Sequence, residues 1–111
     1  MDFHEYQRLA LRSAAHTAKD RLLLNGVMGL CGEAGECIDV VKKHLFQGHD
    51  LDRDKIIDEA GDCLWYLAAA AAGLGVGLDE IAAGNIEKLR KRYPDGFQAD
   101  RSVNREESLT T

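Results

Sequence analysis

Glu33-Ala34-Gly35-Glu36-Cys37 recurs 26 residues later as Glu59-Ala60-Gly61-Asp62-Cys63. Each copy holds two carboxylates at positions i and i+3, which share one face of a helix. Between the copies, Gln47-Gly48-His49-Asp50-Leu51-Asp52 is polar and reads as a turn. Two antiparallel helices flanking that turn place each acidic pair about 13 residues from it, about 20 Å along either helix at 1.5 Å per residue. The four acids then meet at one level.

The surrounding sequence is helical. One helix is predicted from 22 or 27 to 46, with the apolar stripe Leu30, Ala34, Cys37, Val41 and Leu45 and with Ile38 beside it. The next, capped by Asp50 or Asp52, runs over 53–74 with the stripe Ile56, Ala60, Cys63, Leu67 and Ala71. The stripes match position for position at the same offset, a local pseudo-repeat of one helix rather than a solenoid. With Glu33 at zero and 100° per residue, Glu36 lies at about −60° and the stripe centres at about +70°. The third helix repeats these angles for Glu59 and Asp62. Each acidic pair therefore borders a seam expected to be buried, whereas solvated acids lie opposite the apolar stripe. Gly35 and Gly61 sit inside the pairs, mid-helix, where glycine costs about 1 kcal/mol relative to alanine. Close approach by another helix or a ligand is the expected reason.

Asp2 can cap a first helix over 3–16, with Phe3, Tyr6, Leu9, Ala10 and Ser13 near one face. Gly73-Leu74-Gly75-Val76-Gly77 reads as a helix stop, since it lacks the lysine and strand context of a phosphate loop. A fourth helix over 78–92 opens with Asp79-Glu80 and ends before Pro94. The expected fold is all-α, a single four-helix bundle-like domain over 1–97 followed by a mobile, apolar-poor tail over 98–111. A bundle of this size leaves apolar surface to cover, so a homodimer or homotetramer is expected.

Composition narrows the partners. Among 111 residues the net charge is −5, which disfavours a nucleic-acid duplex as main partner. The first residues, Met1-Asp2-Phe3-His4-Glu5, are polar and acidic, and the longest apolar run, Leu64 to Leu74, is too short to cross a membrane. A cytoplasmic protein without a membrane partner is the expectation. Cys31, Cys37 and Cys63 make an odd set with no disulfide framework and are expected as small buried hydrophobes.

Four converging carboxylates repel one another unless a cation neutralises them. Glu33, Glu36, Glu59 and Asp62 form an all-oxygen set suited to magnesium, manganese or calcium, whereas zinc prefers histidine or cysteine. The Glu-x-x-His pairs of di-iron bundles and the EF-hand loop are absent. Magnesium, which retains waters and meets substrate phosphates, fits best, with manganese as substitute. Asn85, Lys88 and Arg92 fall at i, i+3 and i+7, one helical face with donors suited to phosphate. Trp65 and Tyr66 follow Asp62 by three and four residues, and Gln7 adds an amide able to read a base edge. These three are the candidates for holding a base.

Glu33-x-x-Glu36, a 22-residue interval and Glu59-x-x-Asp62 resemble the metal-binding pattern of the MazG-like nucleotide pyrophosphohydrolases, of the all-α NTP pyrophosphatase superfamily. Asn85-Ile-Glu-Lys88-Leu-Arg-Lys-Arg92-Tyr93-Pro-Asp-Gly-Phe97 is similar to the end of that domain. The resemblance implies magnesium-dependent hydrolysis of a nucleoside triphosphate to the monophosphate and pyrophosphate. It also implies that Glu33, Glu36, Glu59 and Asp62 bind the metal, that Asn85, Lys88 and Arg92 contact phosphates, and that the chain assembles as a dimer or tetramer. Glu33 or Glu36 is the candidate proton acceptor for the attacking water. Many members carry a further glutamate just before the first motif, where this chain has Gly32. Two other readings share the fold: hydrolysis of another phosphorylated metabolite such as phosphoribosyl-ATP, and a non-catalytic module that binds nucleotide or metal, which the glycine at 32 keeps open.

Overall fold

The computed structural model describes residues 1–96 and 99–104. Its helices are α1 (Phe3–Ala10), a short 3-10 helix (Leu11–Ala14), α2 (Lys19–Phe46), α3 (Arg53–Gly73), α4 (Leu78–Arg92) and α5 (Ala99–Val103). Among the described residues there is no strand; Pro94 and Gly96 form an isolated bridge within a turn. The chain divides into two compact units, Met1–Leu78 and Asp79–Thr111. No single helix among the described residues is long and apolar enough to cross a membrane.

The helix ends follow from local chemistry. Asp2 caps α1 by accepting the Glu5 backbone N–H at 2.8 Å, and Asp52 caps α3 by accepting that of Lys55 at 3.1 Å. Gly75, at φ 76°, closes α3 in the left-handed region while the Val76 N–H returns to the Ala71 carbonyl at 3.0 Å. Gly48, at φ 73°, does the same service after α2. The first helix is shorter than expected: α-geometry stops at Ala10, and Ser13 bonds its hydroxyl to the Ala10 carbonyl at 3.3 Å. Such side-chain bonds compete with the helical ladder. Conversely, α2 begins at Lys19, ahead of its expected start. Ala18 offers no side-chain cap, but Asp20 in the first turn complements the helix dipole. In the segment expected to be a mobile tail, Ala99–Val103 is helical; residues 97–98 and 105–111 lie outside the described residues.

Within the first unit, α2 and α3 form an antiparallel pair whose close contacts run in opposite chain order. A Cβ at Gly26 would lie 2.6 Å from the Ala70 backbone nitrogen, one at Gly73 2.6 Å from that of Leu23, and one at Gly29 would enter the Tyr66 ring. These glycines bring the two backbones together. Gly35 and Gly61, expected at close approaches, instead face open space, with nothing within 4 Å of an added Cβ. α1 is tied to α3: the Trp65 indole donates to the Ala10 carbonyl at 2.9 Å, and the Gln7 amide donates to Ala68 O at 3.2 Å.

The core differs from the expected one. Its buried apolar residues are Leu22, Ala68, Ala69, Ala71 and Leu78, and no large side chain among the described residues is fully buried. Of the two apolar stripes only Ala71 is buried; Ala34, Leu45 and Ala60 are exposed. Of the four acids, Glu59 is buried, 3% exposed, Glu33 is half-buried and Glu36 and Asp62 are exposed. Cys31 is exposed, contrary to expectation, while Cys37 and Cys63 are half-buried; all three are free thiols.

Candidate metal centre

Glu33 lies on α2 and Glu59 and Asp62 on α3, and the antiparallel pairing of the two helices brings them together. One carboxylate oxygen from each lies within 4.8 Å of the others. Glu33 is half-buried, Glu59 buried and Asp62 exposed, so the cluster opens from the helix seam toward solvent. Glu36, one turn along α2 from Glu33, stands outside this closest trio, and the charge of Glu59 reaches it.

The protonation pattern shows how strongly these groups interact. Glu33 is pushed up to about 7, first by sharing a hydrogen bond with Glu59, then by burial and by the surrounding negative charge. Glu36 is raised for the same first reason, its contact with Glu59. Glu59 moves down: Glu33 donates to it, and Lys55 supports its charge. The shared hydrogen bond thus favours the protonated form of Glu33 and the charged form of Glu59. Lys55 forms an ion pair with Glu59 at 2.9 Å, one helical turn away. Even so, one oxygen of Glu33 and one of Glu59 are buried without a hydrogen-bond partner. Buried carboxylate oxygens left unpartnered are costly, and a cation with oxygen ligands would satisfy both. The residues present therefore fit a hard divalent ion, held by Glu33, Glu59 and Asp62 with Glu36 beside them.

Two further residues border the cluster. Lys55 is signalled in the sequence only by its i, i+4 spacing to Glu59, a pattern common on solvated helices. Tyr6 on α1 has its hydroxyl pushed up by burial and by the charge of Asp62. Nothing local in the sequence places α1 there. A cavity of about 210 Å³ at the turn end of the helix pair is lined by Val40, Lys43, His49, Asp50, Asp52 and Lys55. Lys55 thus borders both the cavity and the acid cluster. Burial pushes the Cys63 thiol up, with Cys37 and then Glu33 next in effect.

The residues expected to hold a base have structural partners. Gln7 donates to the carbonyls of Ala68 at 3.2 Å and Val76 at 3.3 Å and accepts the Leu78 N–H at 3.0 Å. Its amide ties α1 to the end of α3 and the start of α4, and reading a base would require breaking those bonds. Trp65 spends its indole N–H on Ala10 and meets Tyr66 edge to face, ring centres 5.3 Å apart. Tyr66 packs over Gly29. In the second unit, Asn85 and Lys88 are exposed on α4, while Arg92 is 8% exposed with its Nε unpartnered and its guanidinium 5.9 Å from the centre of the Tyr93 ring.

The chain is 40% identical over 73 residues to the Gene 37 protein of Mycobacterium phage L5, an alignment covering 62% of this chain and 64% of that protein. It thus spans just under two thirds of that relative's length. No solved structure matches it. The family model for the MazG nucleotide pyrophosphohydrolase domain matches residues 24–97, a span that contains all four carboxylates and the whole of α4. The chain belongs to the MazG nucleotide pyrophosphohydrolase domain family, hydrolases of phosphorus-containing acid anhydrides whose members generally depend on a divalent metal.

Proposed function

We propose that this protein hydrolyses a nucleoside triphosphate, ribo- or deoxyribo-, to the monophosphate and pyrophosphate with magnesium as the ion. The observation that carries the reading is the convergence of Glu33, Glu59 and Asp62 with two buried, unpartnered carboxylate oxygens. Magnesium there would polarise a phosphoryl oxygen and lower the pKa of bound water. Glu33, Glu59 and Asp62 hold the ion. Glu36 stands outside that trio and so retains capacity to accept the proton of the attacking water, with Glu33 as the other candidate. Tyr6 and Lys55 border the cluster and orient what enters it. Asn85, Lys88 and Arg92 contact the phosphates; their shared helical face and their place in the family pattern support this role.

The reading extends to surroundings and assembly. A nucleoside triphosphate substrate supports a cytoplasmic site of action. The thin core supports assembly as a homodimer or homotetramer.

The test is product analysis by ion-exchange chromatography. The protein is incubated with a panel of canonical and modified NTPs and dNTPs, with magnesium, with manganese and with EDTA. Magnesium-dependent release of monophosphate and pyrophosphate is expected. Folded protein that turns over no nucleotide overturns the reading, and phosphoribosyl-ATP is then the next substrate to try.

A further inference from the structure

Cys37 and Cys63 hold equivalent places in the repeated segments, each one turn beyond the first glutamate of its pair. Residues at i and i+4 share a helix face, so each thiol follows its glutamate into the contact between α2 and α3. Both are half-buried free thiols, whereas Cys31 is exposed. The strongest side-chain partner of the Cys63 thiol is Cys37, and Glu33 comes next. The proposed reaction uses neither sulfur.

The register of the helices explains this meeting. Gly26 abuts the Ala70 backbone and Gly73 that of Leu23, so 26 lies level with 70 and 23 with 73. Carried along the antiparallel pair, Glu33 is level with Cys63 and Cys37 with Glu59. The two cysteines are then one turn apart, about 6 Å along the axes. Side chains tilt toward the N-terminus of their own helix. With this offset the two tilts bring the sulfurs together while the backbones stay apart. For axes about 8–10 Å apart, the Cα atoms lie beyond the roughly 7 Å that a disulfide can bridge. A metal ion can bridge them, because two Zn–S bonds of about 2.3 Å join sulfurs roughly 4 Å apart.

We infer that Cys37 and Cys63 form a binding site for a thiophilic divalent cation of the zinc type, with Glu33 as third ligand. Thiolates are soft ligands that select zinc or copper(I) and leave magnesium to the carboxylates. The charge beside the acids decides between the two soft ions. A divalent ion neutralises both thiolates, whereas copper(I) would leave a net negative charge next to Glu33 and Glu59. Zinc in an open site takes three protein ligands and a water. Glu33 supplies the third, being level with Cys63 and keeping one oxygen without a hydrogen-bond partner. Binding releases the two thiol protons to solvent. Among the described residues the acid trio of Glu33, Glu59 and Asp62 includes neither sulfur, so Glu33 must leave that trio to meet zinc. The two metals therefore compete for one glutamate, and zinc held here removes a magnesium ligand. That zinc silences hydrolysis rests on the proposed magnesium reaction; the capture of zinc does not.

The experiment titrates the full metal-free chain with zinc against a chromophoric chelator, and with cobalt(II) as the optical probe. The wild type should bind zinc, and cobalt(II) in its place should show thiolate-to-cobalt charge-transfer absorption. Cys37→Ser and Cys63→Ser should each abolish that absorption and weaken zinc binding at least about 100-fold, since losing a ligand costs more than the roughly 10–100-fold of a lost supporting contact. Cys31→Ser should change neither. Magnesium should lower the zinc affinity of the wild type, and zinc should lower its magnesium affinity by the same factor. Circular dichroism checks the fold, and Cys37→Ala or Cys63→Ala replaces a serine variant that unfolds. Zinc bound equally by the wild type and both variants overturns the inference and places the ion on the acids alone. So does a cobalt(II) spectrum without thiolate absorption, and so do zinc and magnesium that bind without affecting each other. Every reading is made without nucleotide, so a chain that hydrolyses none fails the proposed reaction and leaves this test standing.

Discussion

Glu33 and Glu59 face each other across an antiparallel helix pair, and each keeps one buried carboxylate oxygen without a hydrogen-bond partner. The metal-free chain eases this crowding by favouring the protonated form of Glu33 and by pairing Glu59 with Lys55. A divalent cation would replace both devices.

The pH dependence follows from the direction of these shifts. Glu33 is raised from 4.5 to about 7, so between those values the folded chain binds more protons than the unfolded one. Metal-free stability therefore falls as pH rises through that window, and the raised Glu36 adds to it. Glu59, moved the other way, loses its contribution only as pH drops below its ordinary range. Thermal melts in EDTA should show a lower Tm at about pH 8 than at about pH 5.5, and magnesium should restore the loss. Magnesium affinity should weaken below about pH 7, where the ion must displace the Glu33 proton. A metal-free Tm that climbs steadily from acid to alkaline pH would sink this account.

Glu59→Gln removes the charge at the centre of the cluster. Turnover should drop by more than the roughly 100-fold seen when a residue behind a metal ligand is lost. The metal-free protein should melt below wild type, because the fold supports the charge of Glu59 through Glu33 and Lys55 and the amide loses that support. Nucleotide hydrolysis and a thermal melt on the same preparation check both halves. A variant that fails to fold would make the glutamate structural.

Gln7→Ala discards three hydrogen bonds to backbone and strands the Leu78 N–H. A destabilisation of about 2–3 kcal/mol by urea titration is expected. A wild-type stability curve with altered base preference would instead assign Gln7 to the substrate.

The glycines divide into two groups with opposite expected outcomes. Gly26→Ala drives a methyl to 2.6 Å from the Ala70 backbone nitrogen and should cost about 1–3 kcal/mol. Gly35→Ala and Gly61→Ala meet nothing within 4 Å and should each stabilise the isolated chain by about 1 kcal/mol through helix propensity. Chemical denaturation of the three single variants decides the ordering.

Much of this was legible in the chain itself. The matched pairs Glu33/Glu36 and Glu59/Asp62, the polar turn between them, the Asp52 cap and the stop at Gly75 specified two helices and their antiparallel return. Those signals are local: a period of 3.6, a capping oxygen and a residue that tolerates positive φ. What local period leaves open is which face of one helix meets which face of the next, because one residue of register turns a face by 100°. Tertiary packing set that rotation through Gly26, Gly29 and Gly73. It carried Glu59 into the seam, buried Ala71 and left Ala34, Leu45 and Ala60 exposed. It also placed Tyr6 near Asp62 and spent the Gln7 amide on backbone. The sequence by itself determined which helices form and that their acids meet at one level. The packed structure decided which oxygens are buried, which lysine answers them and which apolar residues stay exposed.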